Sequence, residues 1–226
     1  MLEIVKTADG SNTIYNADVG ENYHSKHGAL QESRHVFVNS GLCYFLDAKQ
    51  ATHGSPVSIL EVGFGTGLNF LLSADLCTEK GIALDYVGIE AYPLSLAMIS
   101  QTGYDQYVSE ELWHKFISNY QELFTSPIEL NPYCKLQIAR CKLSDFHSEK
   151  QYDIIYFDAF ASARQPEMWD EAAIGHTLQF LKSGGIFVTY AITGNLKRAL
   201  KALGCKVEKA PGAPGKREML RAVKLV

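Results

Sequence analysis

Three glycines at alternate positions, Gly63, Gly65 and Gly67, follow a short apolar run and are the first residues that suggest chemistry. Glycine adopts positive φ and, lacking a Cβ, lets a ligand approach the backbone closely. The spacing is G-x-G-x-G, and Leu68 stands where a dinucleotide fingerprint needs a third glycine or alanine. The spacing therefore argues against a dinucleotide site. The simpler interpretation is a structural turn that binds nothing.

Glu61 places a carboxylate two residues before the first of these glycines. A pyrophosphate prefers a helix N-terminus without a neighbouring negative charge, so this carboxylate disfavours it. A cationic ligand suits the position better, and S-adenosylmethionine carries both an ammonium and a sulfonium group. We therefore predict S-adenosylmethionine as the cofactor of this loop.

Glu90 ends the second predicted strand, 23 residues beyond Gly67. An acidic residue there can accept hydrogen bonds from both ribose hydroxyls of a nucleoside. The alternative is a carboxylate that caps the helix after Tyr92-Pro93.

Asp158 follows the apolar strand that begins at Tyr152. An unpaired buried carboxylate is costly, so we expect Asp158 to lie in the cleft beside the transferred methyl group. Methyl transfer needs an in-line approach and a free lone pair, and a carboxylate can hold an amine acceptor and take up its proton. Alternatively, Asp158 only orders the next loop. Phe160 and Trp169 could stack on a base or belong to the core.

Alternating strands and helices must position these residues. Apolar runs predict strands over 57–62, 83–90, 136–139, 152–158 and 186–192, and helices over 68–76, 94–100, 166–181 and 195–203. A hairpin pairs 205–210 with 218–226, and Pro93 is expected in the first turn of its helix. The pattern predicts an α/β, Rossmann-like fold whose mostly parallel, seven-stranded sheet has an antiparallel edge strand.

Two segments lie outside this plan. Residues 1–50 are predicted to form a β-rich extension that leads into a helix near 41–48, and residues 51–226 the methyltransferase domain. Residues 103–132 form an insertion, with a helix over 110–120 and a loop over 127–132.

Composition limits the class of protein. The chain has 46% hydrophobic and 20% charged residues, which excludes wholesale disorder. It has no apolar run of membrane-spanning length and no signal-peptide pattern, so a cytoplasmic protein is expected. Its five cysteines are scattered without a Cys-x-x-Cys pair, so we expect reduced thiols and no metal site.

The charge is distributed unevenly along the chain. Residues 197–226 contain nine Lys or Arg and two acidic residues, whereas the rest of the chain contains 12 basic and 23 acidic residues. This asymmetry hints at a basic face for an anionic partner. A solvated surface of mixed charge is the alternative.

Six separated motifs resemble those of a known family. They are Tyr23-His-Ser25, Glu32-Ser-Arg-His-Val-Phe37, Glu61-Val-Gly-Phe-Gly-Thr-Gly-Leu-Asn-Phe70, Glu90-Ala-Tyr-Pro-Leu94, Phe157-Asp-Ala-Phe-Ala161 with Gln165-Pro-Glu-Met-Trp169, and Gly215-Lys-Arg-Glu-Met-Leu220. Together they resemble the methyltransferase half of the bacterial bifunctional tRNA 5-methylaminomethyl-2-thiouridine biosynthesis proteins, and the stand-alone relatives of that half.

The resemblance implies methylation of a 5-aminomethyl group at the tRNA wobble uridine. It implies that Asp158 contacts the amine and that Lys216 and Arg217 lie near RNA. The expected cofactor contacts are Tyr23, Glu61, Gly63, Phe64, Gly65, Gly67, Asn69, Glu90 and Asp158. The flavin-dependent oxidase half of the family is not expected in this chain, so other enzymes would supply the amine.

Two positions depart from the family pattern. Cys141-Lys142 stand where the family usually has Gly-Asp, and lysine cannot accept a hydrogen bond from adenine. Asp145 is the candidate substitute. His35 replaces a tyrosine, and a structural role is expected for it.

Three functions remain open at this point. The first is the tRNA amine methyltransferase. The second is a transferase of the same fold that acts on a small, polyamine-like amine. The third is a non-catalytic RNA-binding relative that has lost the cofactor, a hypothesis motivated by Lys142.

Overall fold

Residues 1–49 and 56–225 are described by the computed structural model. The strands are β1 (Leu2–Lys6), β2 (Asn12–Asn16), β3 (Glu21–Asn22), β4 (Val57–Val62), β5 (Leu84–Ile89), β6 (Ile128–Asn131), β7 (Cys134–Ala139), β8 (Tyr152–Phe157), β9 (Leu181–Thr189), β10 (Cys205–Pro211) and β11 (Glu218–Lys224). The α-helices are α1 (Ala29–Glu32), α2 (Tyr44–Lys49), α3 (Leu68–Glu79), α4 (Leu96–Ser100), α5 (Glu110–Asn119), α6 (Glu171–Gln179) and α7 (Gly194–Ala202).

Strands β4 to β11 form one sheet in the order β10-β11-β9-β8-β4-β5-β7-β6. The five inner strands from β9 to β7 are parallel, whereas β11 and β6 are antiparallel to their inner neighbours. All six residues of β4 are buried because helices cover both faces of a parallel sheet. Ile59 packs in the core on one face and Leu60 in the core on the other.

The strand order reverses between β4 and β8. From β4 the chain adds β5 and β7 on one side, and it then returns to place β8 on the other side. At this switch point the Asp158 N–H donates to the Val62 carbonyl at 2.8 Å. Ligands of open α/β sheets bind at such a crevice, outside the carboxyl ends of the strands.

The predicted fold class is confirmed, with differences in the sheet. The sheet has eight strands and not seven, because Ile128–Asn131, within the predicted loop over 127–132, pairs antiparallel with β7 as β6. The predicted helix over 166–181 divides into a 3₁₀ turn at Pro166–Met168 and α6, while Leu181 already belongs to β9.

The helix after Pro93 begins later than predicted. Ser95 is its N-cap, and its hydroxyl accepts a hydrogen bond from the Met98 N–H. Pro93 therefore precedes the helix and is not part of its first turn.

The N-terminal region forms a three-stranded sheet, β1-β2-β3, followed by a helix. That helix starts at Ala29, earlier than the predicted segment at 41–48, and continues as a π-helical segment, Ser33–Cys43, into α2. At Gly41 a Cβ would lie 2.9 Å from the Tyr156 ring, so glycine lets the helix pack closely on the large sheet. The predicted boundary between residues 50 and 51 lies outside the described residues.

Within the described ranges, no helix is long and apolar enough to cross a membrane. The same residues place no group of three or more His, Cys, Asp or Glu side chains where they could hold a metal ion.

Candidate active site

A cavity of about 1230 Å³ lies at the carboxyl ends of β4, β5 and β8. The N-terminal sheet and the loop between β10 and β11 complete its walls. Seven of the predicted site residues line it, namely Tyr23, Gly63, Gly65, Glu90, Asp158, Phe160 and Lys216. Residues from both ends of the chain therefore meet at the switch point of the sheet.

The glycine loop requires glycine at two positions for steric reasons. Gly63 has a φ of 86°, and a Cβ there would lie 2.5 Å from the Asp158 carbonyl oxygen. Gly65 has a φ of 53°, and its Cβ would lie 2.9 Å from the Tyr23 ring. A side chain at either position would strain the backbone and displace a wall of the cavity.

Glu90 is anchored by two backbone N–H groups. Its Oε2 accepts from the Gly65 N–H and its Oε1 from the Tyr92 N–H, both at 2.9 Å. Burial raises the pKa of this carboxyl, and the two hydrogen bonds oppose the rise. Because each carboxylate oxygen has a second lone pair, Glu90 can still accept hydrogen bonds from a ligand in the cavity.

Asp158 presents a half-buried carboxyl at the end of β8. Its Oδ2 accepts from the Asn69 Nδ2 at 2.9 Å. Burial, and then the charge of Glu32, raises the pKa of Asp158 to about 8, while Asn69 and Lys216 oppose the rise. This carboxyl can therefore gain or lose a proton near neutral pH, as a general acid or base must.

Glu61, a predicted cofactor contact, is fully buried and lies outside the cavity lining. Its Oε1 accepts from the Asn69 Nδ2 and its Oε2 from the Tyr86 hydroxyl, both at 2.8 Å. Burial and the charge of Asp158 raise the pKa of Glu61 well above its usual value. Asn69 was also predicted to contact the cofactor. Its Nδ2 donates to both the Glu61 and the Asp158 carboxyls and so bridges them.

Phe64 and Gly67 are two further predicted contacts that lie outside the cavity lining. The Phe64 ring is buried and packs on Phe70 and Phe116. Gly67 has a φ of 78° and is the N-cap of α3, so it turns the chain away from the cavity. Both residues shape the loop from the side of the core.

Of the two aromatic residues predicted to stack on a base, only Phe160 faces the cavity. Its ring lies edge-to-face with Tyr23 at a centroid distance of 5.0 Å. Trp169 is 7% exposed, and its indole N–H donates to the Phe160 carbonyl at 2.7 Å. Trp169 is thus not placed to stack on a base, and it holds the Phe160 loop instead.

Lys216 and Arg217, both predicted to lie near RNA, have different surroundings in the structure. The Lys216 ammonium lies inside the cavity, 2.7 Å from the Glu32 carboxylate. Arg217 is exposed and lines an adjacent hollow of about 400 Å³, which Lys216 also lines.

Residues 106–225 match the S-adenosyl-L-methionine-dependent methyltransferase family. This chain belongs to that family. The methyltransferase therefore uses S-adenosylmethionine, as the glycine loop predicts.

Curated relatives extend the match along the chain. The methyltransferase is 32% identical over 214 residues to the tRNA 5-methylaminomethyl-2-thiouridine biosynthesis bifunctional protein MnmC of Leptospira borgpetersenii, covering 88% of this chain and 31% of that protein. It is 31% identical over 218 residues to the protein of the same name from Methylobacillus flagellatus, covering 91% of this chain and 33% of that protein. The chain spans about a third of the length of these relatives.

Solved structures share the fold of the methyltransferase. MNMC2 from Aquifex aeolicus superposes with a TM-score of 0.80 at 24% identity, covering 99% of this chain and 70% of that chain. Magnesium protoporphyrin IX methyltransferase from Synechocystis, solved with bound S-adenosylmethionine, gives a TM-score of 0.53 at 12% identity, covering 87% and 81% of the two chains.

The predicted substitute for the adenine partner is not placed to act. Asp145 lies outside the cavity lining, and its carboxylate accepts from the Ser144 hydroxyl at 3.0 Å. Lys142 does line the cavity. His35 has a structural contact, with its Nε2 2.7 Å from the Pro211 carbonyl.

Three of the cavity residues that were not predicted as site residues contact or neighbour the predicted ones. Glu32 is buried beside Asp158, Tyr190 lies under Lys216, and Tyr92 stands at the rim with 72% of its surface exposed. Glu32 and Tyr92 belong to motifs shared with the family, which was the available signal for them. Tyr190 had no such signal, because an aromatic residue after an apolar strand is typical of a core.

Proposed function

We propose that this methyltransferase transfers the methyl group of S-adenosylmethionine to the amine of 5-aminomethyluridine at the tRNA wobble position. The product is 5-methylaminomethyluridine or its 2-thio form. The observation that carries the proposal is the Asp158 carboxyl in the cavity wall, with Oδ2 held by Asn69. Among the described residues, 1–49 and 56–225, none donates a hydrogen bond to Oδ1, which is available to an acceptor N–H. The relatives' names supply tRNA and the modified uridine, and the motif resemblance implies the wobble position.

The described residues fit the cofactor at the β4 and β5 ends. Gly63 and Gly65 line the cavity with backbone alone, and Glu90 offers carboxylate lone pairs beside them. We assign the nucleoside to these three residues, with Tyr23 over the loop. When bound, S-adenosylmethionine supplies an activated methyl group whose bond to sulfur breaks as the acceptor nitrogen lone pair attacks.

Asp158 would hold the acceptor through its N–H groups. An aminomethyl group carries an extra proton in water and has no lone pair until that proton leaves. A carboxyl with a pKa of about 8 suits the transfer, because it is close enough to the working pH to accept the proton and release it afterwards.

The tRNA would approach from the side of the C-terminal hairpin. Several of its basic side chains are already engaged within the protein, since Arg221 pairs with Glu208, Lys209 with Glu218, and Lys224 with two carbonyls of the Leu178–Leu181 segment. This leaves Arg217, Arg198 and Lys201 as the exposed cations proposed to contact phosphates. The charge asymmetry of the sequence thus overstates the cationic surface available to RNA.

Residues 1–49 and the large sheet are proposed to act as one catalytic unit. Tyr23 and Glu32 from the first region line the same cavity as Asp158 from the second. The enzymes that install the aminomethyl precursor are the proposed functional partners.

Purified protein, tRNA bearing 5-aminomethyluridine and labelled S-adenosylmethionine provide the direct test. We expect label in 5-methylaminomethyluridine after nuclease digestion and mass spectrometry. Cells that lack the protein should accumulate the 5-aminomethyl nucleoside. An unchanged nucleoside profile, or transfer to polyamines but not to tRNA, would refute the proposed acceptor.

A further inference from the structure

An ion pair joins the two ends of the chain at the acceptor end of the cavity. The Lys216 Nζ, in the loop between β10 and β11, lies 2.7 Å from the Oε1 of Glu32, the last residue of α1. The Glu32 side chain is 7% exposed and the Lys216 side chain 33% exposed. Both line the same cavity as Asp158. A surface lysine that only bound phosphate would not need a buried partner.

Each member of the pair is held in place by a second contact. The Glu32 Oε2 accepts from the Ser25 N–H at 2.7 Å. The Lys216 ammonium lies over the Tyr190 ring, 3.9 Å from its centroid, a cation–π geometry. The Tyr190 hydroxyl donates to the Ala159 carbonyl at 2.9 Å, one residue after Asp158. The ammonium is therefore positioned relative to the reacting carboxyl.

Charged and titratable groups from five elements lie around Asp158. Glu32 comes from α1, Lys216 from the hairpin loop, Glu61 from β4, Tyr86 from β5 and Tyr190 from the end of β9. The Glu32 charge raises the pKa of Asp158 and the Lys216 charge lowers it. Burial keeps Tyr190 neutral and favours the neutral form of Glu61. Glu32 and Lys216 are thus the opposing charges around the acceptor.

We propose that Lys216 is a positioning residue that favours the neutral, nucleophilic form of the acceptor amine, and that Glu32 anchors Lys216 and limits its effect. The inference rests on the proposed amine acceptor. A fixed ammonium close to a second ammonium favours loss of a proton from the latter, as with amine nucleophiles activated by a neighbouring cation.

Each group has a separate role in the transfer of the proton and of the electron pair. The acceptor ammonium loses a proton to the Asp158 carboxylate, which leaves the lone pair on nitrogen. That lone pair forms the nitrogen–carbon bond as the carbon–sulfur bond breaks, and its electron pair goes to sulfur. The positive charge of the sulfonium moves to the methylated amine, and Asp158 returns its proton to water. Lys216 keeps its proton throughout.

Single variants at the two positions are expected to shift the pH dependence in opposite directions. We would measure kcat/KM for methyl transfer to aminomethyl-bearing tRNA across pH for Lys216→Met, Glu32→Gln, the double variant and a Lys206→Met control. Losing the Lys216 charge should move the acidic limb of the kcat/KM profile about one pH unit upwards. Losing the Glu32 charge should move it about one unit downwards. The double variant should return close to the parent, and Lys206→Met, an exposed hairpin lysine, should not shift it.

Titration of Asp158 by carboxyl ¹³C NMR in the ligand-free variants gives a readout independent of catalysis and reveals any loss of fold. We expect the pKa of Asp158 to rise in Lys216→Met and to fall in Glu32→Gln.

Two results would overturn the inference. One is an unmoved acidic limb in Lys216→Met with a higher KM for tRNA and a weaker salt dependence, which would make Lys216 a phosphate contact. The other is a shift of both single variants in the same direction. If the parent protein itself transfers no methyl to the tRNA, the proposed function fails instead.

Discussion

The two ends of the cavity are built in different ways. The proposed nucleoside half consists of Gly63, Gly65 and Glu90, which come from 28 consecutive positions, and backbone N–H groups fix the Glu90 carboxylate. The proposed acceptor half consists of Asp158, Glu32, Lys216 and Tyr190, and it includes partners 184 positions apart that are held mostly by side chains. A carboxylate held by its own loop stays in one environment. A carboxyl surrounded by separate ionic side chains can be tuned by each of them.

The two carboxyls differ in how their pKa values are set, and this difference fits Glu90 for cofactor binding and Asp158 for proton transfer. The hydrogen bonds of Glu90 oppose the effect of burial on its pKa, which suits a carboxylate that binds the cofactor without exchanging protons. The pKa of Asp158 is raised to about 8, which suits a group that exchanges protons. Substitutions in the nucleoside half should therefore change cofactor affinity, and those in the acceptor half should change turnover and pH dependence.

Asp158→Asn should produce the largest loss of activity. The amide can still accept from Asn69 but cannot take a proton from the acceptor, so we expect kcat to fall by about 10²- to 10⁴-fold. S-adenosylmethionine affinity, measured by calorimetry, should stay within about threefold because the nucleoside half is intact. Asp145→Asn, at an exposed carboxylate outside the cavity, is the matched control. Equal losses of affinity and turnover in Asp158→Asn would remove the division of roles.

The same substitution should change how stability depends on pH. Folding raises the pKa of Asp158 from 3.8 to about 8. The contribution of the protonated Asp158 to the free energy of unfolding is therefore fully present below pH 3.8 and is lost as the pH rises through 8. The free energy of unfolding of Asp158→Asn, relative to the ligand-free parent, should therefore increase by about 1.4 kcal/mol per pH unit over that interval. Urea unfolding at several pH values measures it. A constant difference would mean that Asp158 has an ordinary pKa.

Gly63→Ala should weaken the nucleoside half. Its Cβ would lie 2.5 Å from the Asp158 carbonyl oxygen, so the loop must move, and we expect S-adenosylmethionine affinity to fall about ten- to hundredfold. Gly204→Ala is the control, because Gly204 also has a positive φ of 82° but nothing within 4 Å of its Cβ position. That variant should lose about 1 kcal/mol of stability from backbone strain and no cofactor affinity. Equal affinities in the two variants would contradict a close-fitting loop.

Among the substitutions Asp158→Asn, Gly63→Ala and Glu90→Gln, the last should have the smallest effect. The amide replaces one accepting oxygen with an N–H donor. Glu90→Gln therefore loses the hydrogen bond from either the Gly65 or the Tyr92 N–H, and it has one oxygen fewer to accept from the ribose hydroxyls. We expect S-adenosylmethionine to bind about tenfold more weakly, with kcat at saturating cofactor almost unchanged. Glu129→Gln, an exposed carboxylate on the edge strand β6, should bind the cofactor like the parent. A loss of kcat without a loss of affinity would place Glu90 in the acceptor half.

Local patterns were informative where the relevant contacts are local. The glycine spacing, the apolar β4 and the acidic end of β5 together predicted the loop and Glu90, because backbone conformation and strand polarity are encoded within a few residues. The same reasoning does not determine the direction in which the Glu61 side chain points. A carboxylate beside a glycine loop can face either the ligand or the core, and the choice depends on Tyr86 and Asn69 from other elements.

By itself, the sequence determined the α/β fold, the family, the cofactor and the position of Asp158 at a strand end. These follow from periodicity and from short motifs, whose physical basis is local. Only the tertiary structure decided that Lys216 faces Glu32 and not solvent, that Trp169 supports a loop, and that β6 joins the sheet. The charge environment of Asp158 depends on groups that meet only when both ends of the chain close over the sheet.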